Sequence, residues 1–190
     1  YSRDASLFRV VPQVVVRPRD AGDVSALVKF VVAKKIENHK LDLSITPRAA
    51  GTDMSGGPLN TSIILDTTAH LNRFLELGDT AEGSQGWAVV EPGMFFRDFD
   101  KETKKKGLEL PSYTASRELN TVGGMVGNNS GGEKNLKYGK TARYVEELDM
   151  VLGDGKVHTL KNLSGAALQE KLTEEGFEVD VEDFHRVQVL

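Results

Sequence analysis

The sequence contains no cysteine. That excludes disulfides, a thiolate nucleophile and any iron–sulfur cluster held on this chain's own thiolates. No apolar run approaches the roughly 20 residues of a membrane-spanning helix. A basic excess is also missing: 24 Lys and Arg stand against 28 Asp and Glu, a net charge of −4. A general nucleic-acid binder is therefore not expected. The four histidines (His39, His70, His158 and His185) are scattered, with no pair at metal-ligand spacing, and no metal site is expected. A Rossmann Gly-x-Gly-x-x-Gly is absent. Gly139-Lys140-Thr141 invites a nucleoside-triphosphate loop, but Lys134 stands where its first glycine belongs. Gly127 and Gly132 have the right spacing, yet Glu133 follows where lysine is needed. The first residues, Tyr1-Ser2-Arg3-Asp4, show neither an initiator methionine nor a signal-peptide pattern. They read as the edge of a piece of a longer protein. The expected compartment is the cytoplasm, or the inner face of the membrane as a peripheral protein.

The sequence does concentrate glycine, in two places. Pro47-Arg48-Ala49-Ala50-Gly51-Thr52-Asp53-Met54-Ser55-Gly56-Gly57 lies between a strand-like run ending at Ile45 and a second run, Ser62–Asp66. Glycine has no Cβ and tolerates positive φ, so successive N–H groups can converge on an anion. A phosphate or pyrophosphate suits such a nest, with Arg48, Thr52 and Ser55 as side-chain donors. Alone, the loop reads equally well as a surface turn. A second segment runs from Pro111-Ser112-Tyr113-Thr114-Ala115-Ser116 through Asn120-Thr121-Val122-Gly123-Gly124 to Asn128-Asn129-Ser130-Gly131-Gly132. Each ordered glycine costs entropy, so two concentrations of it imply a long ligand between them. Ser55 and Ser130 have no nearby histidine in sequence and read as hydroxyl donors, not nucleophiles.

Around these loops the patterns alternate. Residues 13 to 17 form a β-branched run ended by Pro18. Asp20 offers a helix N-cap, and Val24, Leu27, Val28, Val31 and Val32 follow at helical spacing. A strand over 41–45 completes a βαβ unit, whose strands should be parallel. Short strands are expected at 61–66, 73–77 and 86–91, with a helix at 95–106 on a Phe95, Phe96, Phe99, Thr103 face. Lys104-Lys105-Lys106 reads as a solvated helix end and Trp87 as a core residue. Thr121 caps a short helix over 122–128, whose first N–H groups are expected near an anion or ring edge. Strands 146–152 and 156–160 flank the turn Gly153-Asp154-Gly155. Ser164 caps a helix bearing Leu168 and Leu172. From Gly176 onward the chain is polar and acidic, without a clear period.

The first loop resembles the pyrophosphate loop of flavoproteins of the vanillyl-alcohol oxidase superfamily, in the branch of glycolate oxidase and D-lactate dehydrogenases. The second segment and Lys137-Tyr138-Gly139 are similar to the flavin-contacting segments that follow in that family. The order and spacing of three motifs agree over roughly residues 10 to 160. The resemblance implies an α+β, PCMH-type FAD-binding fold. A small parallel βαβ part and a larger mixed or antiparallel sheet flanked by helices would hold FAD between them. On this resemblance residues 1–175 are expected to form the FAD-binding domain, and 176–190 to lead towards a substrate domain. The implied cofactor contacts are Pro47 to Asp53, Ser55, Gly56, Pro111, Ser112, Ser116, Thr121, Gly123, Gly124, Asn128, Ser130, Tyr138 and Gly139. The implied reaction is hydride transfer from a D-2-hydroxy acid of the lactate or glycolate type. The small-molecule substrate would bind together with the further domain, and an electron-accepting protein or a quinone would be the redox partner.

Three departures matter. Ala50 and Asp53 stand where relatives often have glycine. Thr52 or Asp53 occupies the place of the flavin-linking histidine of some relatives, so FAD is expected to be non-covalent. The later Gly-Ser-Glu-Gly-Thr-Leu-Gly type segment is not found, and no catalytic residue is assigned. The alternatives are a reductase like UDP-N-acetylenolpyruvoylglucosamine reductase, or a flavin-binding module without activity of its own.

Overall fold

The computed structural model describes residues 1–79 and 85–174. Its first sheet is three parallel strands in the order β1-β3-β2: β1 Val14–Val16, β2 Ile45–Arg48 and β3 Ile63–Asp66. β3 is the central strand, and all four of its residues are buried. That fits a continuous Ile-Ile-Leu run covered on both faces. β1 and β2 do not pair with each other; each pairs with β3. The expected βαβ unit is thus present as parallel strands with β3 inserted between them.

Helix α1 (Ala21–Glu37) connects β1 to β2. Asp20 has an extended backbone, and its carboxylate accepts the Asp23 N–H at 2.9 Å. That bond satisfies one of the unpaired donors at the helix start. Lys34 and Lys35 lie in the last turn, where cations suit the helix dipole. Val31 is the buried residue of its apolar face, and Val32 is exposed.

The strand expected at 41–45 lies later, at 45–48, and includes Pro47. β2 is an edge strand, where proline's missing N–H costs no ladder bond on the open side. The glycine-rich loop therefore begins at Ala49, after the strand, and crosses back to the parallel β3.

The second part is built on an antiparallel pair, β4 (Phe74–Asp79) and β5 (Gly86–Val90). Phe74, Ala88 and Val90 pack on a core of Met94, Phe96, Phe99, Tyr113 and Met125. Phe96, Phe99 and the buried Thr103 come from α2 (Phe96–Lys104), on the face that the sequence pattern indicated. Phe74–Phe99 and Phe96–Phe99 centroids lie 6.1 and 5.7 Å apart at tilted angles. The lysines at the end of α2 form solvent-facing ion pairs: Lys104 with Asp100, Lys105 with Glu102 and Lys106 with Asp79. Trp87 does not join the core. It faces outward on β5, 42% exposed, with its indole lying across Gly78 of the neighbouring strand. The strand pleat gives the reason: Ala88 and Val90 take the inward positions, so Trp87 and Val89 point out.

The chain continues through α3 (Val122–Gly127), α4 (Asn135–Tyr138) and a 3-10 turn at Thr141–Tyr144. Then come the hairpin β6 (Glu147–Val151) and β7 (Val157–Lys161), and α5 (Gly165–Glu174), with Ala167 N–H donating to Ser164 Oγ. The β6–β7 turn docks on α1: the Ser25 hydroxyl donates to the Gly155 carbonyl, and the Lys29 stem covers Gly155. Among the described residues, no helix is long and apolar enough to cross a membrane. The expected segment 176–190, with His185, lies outside the described residues.

Candidate cofactor site

The loop after β2 is held open from within. Gly51 and Gly56 adopt φ of +72° and +87°, conformations that glycine takes without strain. Among the described residues, the N–H groups of Ala50, Gly51 and Thr52 meet no protein acceptor. The neighbouring N–H groups of Ala49, Asp53 and Met54 likewise meet none, so these three lie within a longer run of open donors from Ala49 to Met54. The other half of the loop is closed by Asp53. Its Oδ2 accepts the N–H of Ser55 at 3.1 Å, the Ser55 hydroxyl at 2.7 Å and the N–H of Gly57 at 2.8 Å. The hydrogen bonds from the Ser55 hydroxyl and the Gly57 N–H hold its pKa below the ordinary carboxylate value, against the opposing effect of burial.

Arg48, at the end of β2, points back over the loop. Its guanidinium fills the space that a Cβ on Gly51 would need. It donates to the carbonyls of Arg3 at 2.7 Å and Tyr1 at 3.5 Å, and stacks 5.7 Å from the Tyr1 ring centroid. The segment 1–10 therefore lies on the loop. Ala5 N–H donates to the Asp53 carbonyl at 3.0 Å, and the Phe8 ring covers Gly56. The Tyr1 hydroxyl donates to the buried Asp66 at the end of β3, at 2.6 Å. Burial alone would raise the Asp66 pKa; hydrogen bonds from Tyr1 and Thr68 hold it below the ordinary value. Sequence reasoning missed this segment. The one local signal was Asp4-Ala5-Ser6, where Asp4 accepts the Ser6 N–H at 2.9 Å and so forms a turn.

The second glycine-rich segment meets the first. Thr121 is fully buried and caps α3, accepting the Gly124 N–H at 3.1 Å. The remaining first-turn donors are also engaged: Val122 with the Met94 carbonyl, Gly123 with Pro92 and Met125 with Thr121. The anion expected at those N–H groups is thus replaced by protein carbonyls. Gly123 is where α3 rests on the Glu91-Pro92-Gly93 corner, and a Cβ there would overlap Pro92. Gly124 faces Ala49 of the first loop, 3.4 Å from the position of an added Cβ. Asn128 reaches across to the first loop, its amide donating to Asp53 Oδ1 at 3.3 Å.

Pro111 to Ser116 bring buried polar groups alongside. Ser112 is 1% exposed and its Oγ has no partner. Ser116 pairs with Thr114, which accepts from the Asn120 amide at 2.7 Å, while Asn120 Oδ1 is also unpartnered. Gly132 lies so close to the Tyr113 carbonyl that a Cβ would not fit. Asn129 takes a left-handed conformation (φ +44°) where α3 ends, and its side chain accepts the Ala142 N–H at 2.9 Å. The Ser130 carbonyl accepts from Thr141, and the Tyr138 carbonyl accepts the Tyr144 hydroxyl at 2.7 Å. Gly139 ends α4 at φ +77°.

This donor set fits a flavin carrying a diphosphate. It offers consecutive open N–H groups, a buried hydroxyl without a protein partner, and two small-residue segments in contact. A separate concavity of about 400 Å³ lies beside α2 and touches neither segment.

The chain matches the family FAD binding domain over residues 12–161. It is 30% identical to a D-2-hydroxyglutarate dehydrogenase of Escherichia coli, covering 82% of this chain and 14% of that protein. It is 31% identical to glycolate oxidase subunit GlcD of Bacillus subtilis, covering 83% and 32%. Identity to a D-lactate dehydrogenase of Archaeoglobus fulgidus is 35%, covering 82% and 33%. The chain thus spans a third or less of the length of these relatives. The fold is similar to 6-hydroxy-D-nicotine oxidase from Arthrobacter nicotinovorans, with TM-score 0.65 and 23% identity over 85% of this chain and 32% of that one.

Proposed function

The chain belongs to the FAD binding domain family, and on that premise we propose that it is the FAD-holding part of an enzyme that oxidises a D-2-hydroxy acid. The observation that carries the reading is the run of open N–H groups at Ala50, Gly51 and Thr52, beside a second small-residue segment. Bound FAD would supply the hydride acceptor of the reaction. The chain's own residues bind and orient it. Ala50 to Thr52 donate backbone N–H groups to the diphosphate. Gly51 keeps that stretch of backbone approachable, with Arg48 held over it by Tyr1 and Arg3. The Ser112 hydroxyl donates to a polar cofactor atom that would otherwise leave it unpaired. Pro47, Ala49, Ser55, Gly56, Pro111, Ser116, Thr121, Gly123, Gly124, Asn128, Ser130, Tyr138 and Gly139 complete or support the cradle. With Thr52 and Asp53 at the linking position, FAD is held non-covalently.

The groups that would hold the substrate carboxylate and take the hydroxyl proton belong to the rest of a longer protein. The names of the relatives support the lactate, glycolate and 2-hydroxyglutarate class of substrate. An electron-accepting protein or quinone would reoxidise the flavin.

Flavin titration tests the reading. FAD should quench on binding and be displaced by ADP, whereas FMN should bind far more weakly, because the nest takes a diphosphate. Equal affinity for FMN and FAD, or none for either, would sink it. Mixing FAD-loaded protein anaerobically with D-lactate, glycolate and D-2-hydroxyglutarate should leave the oxidised flavin band unbleached. Rapid bleaching would place the whole catalytic site within these residues.

A further inference from the structure

We propose that Asp53 is a resident anion of the loop, one that the diphosphate of FAD must displace from Ser55 and Gly57, and that it sets the affinity for the cofactor. The inference rests on the reading that this loop takes the diphosphate. The loop has two halves. Ala50 to Thr52 present open donors, whereas the donors of Ser55 and Gly57 converge on a single atom, Asp53 Oδ2. Two backbone N–H groups and a hydroxyl converging on one oxygen is how such a nest holds a phosphate oxygen. Here the chain supplies that oxygen itself.

The same carboxylate also joins the two glycine-rich segments, since Oδ1 accepts from Asn128, and its own carbonyl takes the Ala5 N–H. A diphosphate entering the loop meets a fixed negative charge and an incomplete set of donors. Both effects weaken binding. On binding, Asp53 gives up Ser55 and Gly57, and the Asn128 tether between the segments loosens with it.

The test compares wild type with Asp53→Asn, which removes the charge and keeps the size, and with Asp79→Asn, which makes the same change in net charge on β4. FAD affinity is read by fluorescence titration. Asp53→Asn should bind FAD tighter by roughly tenfold, as expected for removing one like charge a few ångströms from a diphosphate. Asp79→Asn should match wild type. Independently of any variant, the amide resonances of Ser55 and Gly57 in wild type should move as FAD saturates. The inference is overturned, with the cofactor reading intact, if wild type binds FAD while Asp53→Asn binds it no tighter. Ser55 and Gly57 amides that stay in place at saturation overturn it equally. If neither protein binds FAD or ADP, the cofactor reading falls along with it.

Discussion

Gly123 sits directly on Pro92. Its N–H donates to the Pro92 carbonyl at 2.9 Å, and a Cβ at Gly123 would overlap the Pro92 backbone and ring. This contact, 31 positions apart in sequence, seats α3 on the corner that follows β5. The glycine thus serves packing between two protein segments.

Gly123→Ala should therefore destabilise the fold by roughly 1–3 kcal/mol, the usual cost of overpacking. The clash is with backbone, which cannot turn aside. Gly127→Ala, in the same helix, has open space around it and should be neutral or stabilising by up to about 1 kcal/mol. Urea denaturation of both variants checks this. Equal stabilities would mean that α3 is not seated on Pro92.

Gly51→Val should act differently. A side chain there meets the far end of the flexible Arg48, which can swing away, and a left-handed backbone that costs an L-residue roughly 1–2 kcal/mol. The protein should remain folded by circular dichroism. FAD affinity should fall at least tenfold, because the open donors of Ala50 to Thr52 would be re-aimed. Full flavin occupancy in a folded Gly51→Val protein would show the loop to be a structural turn.

The Tyr1–Asp66 hydrogen bond makes a prediction about pH. Asp66 has a depressed folded-state pKa, to which Tyr1 contributes. A depressed carboxylate adds stability that is complete above its unfolded value of about 3.9 and is lost as pH falls through the folded value. Tyr1→Phe should cost about 1–2 kcal/mol at pH 7. The gap between wild type and variant should narrow at pH 3, where wild type has lost part of what Tyr1 contributes. A gap that stays constant from pH 7 to pH 3 would show that Tyr1 does not act through the Asp66 charge.

Trp87 is the one tryptophan, so its fluorescence reports the outer face of the β4–β5 pair. Exposed beside Gly78, it should emit at the red end of the tryptophan range and be quenched readily by acrylamide. Blue, unquenched emission would mean that something covers this face.

Much of the fold was legible because its signals are local. Asp20 and Asp23 are three residues apart, as are Thr121 and Gly124, so both helix starts are written in short spans. The Phe96, Phe99 and Thr103 face follows the helical period, and the Gly153–Gly155 turn carries its own chemistry. Pro47 misled because a proline stops an interior strand but not an edge strand, and edge status belongs to the sheet. Trp87 misled because size argued for burial while the pleat decided the direction.

The sequence by itself determined most of the elements, the two glycine-rich segments and the family, since each depends on residues that are neighbours along the chain. The place of β2 and the short turns at Asn135–Tyr138 and Thr141–Tyr144 came only with the structure. Tertiary structure alone decided what the two glycine-rich segments do to each other. Asp53 and Asn128 are 75 positions apart, and Arg48 and Arg3 are 45 apart. The Ser25 to Gly155 contact spans 130. No periodicity or spacing encodes such pairs. They form only when packing brings distant backbone together, and at this site that packing assigns Arg48 to the N-terminal segment, Gly123 to Pro92 and the donors of Ser55 and Gly57 to Asp53.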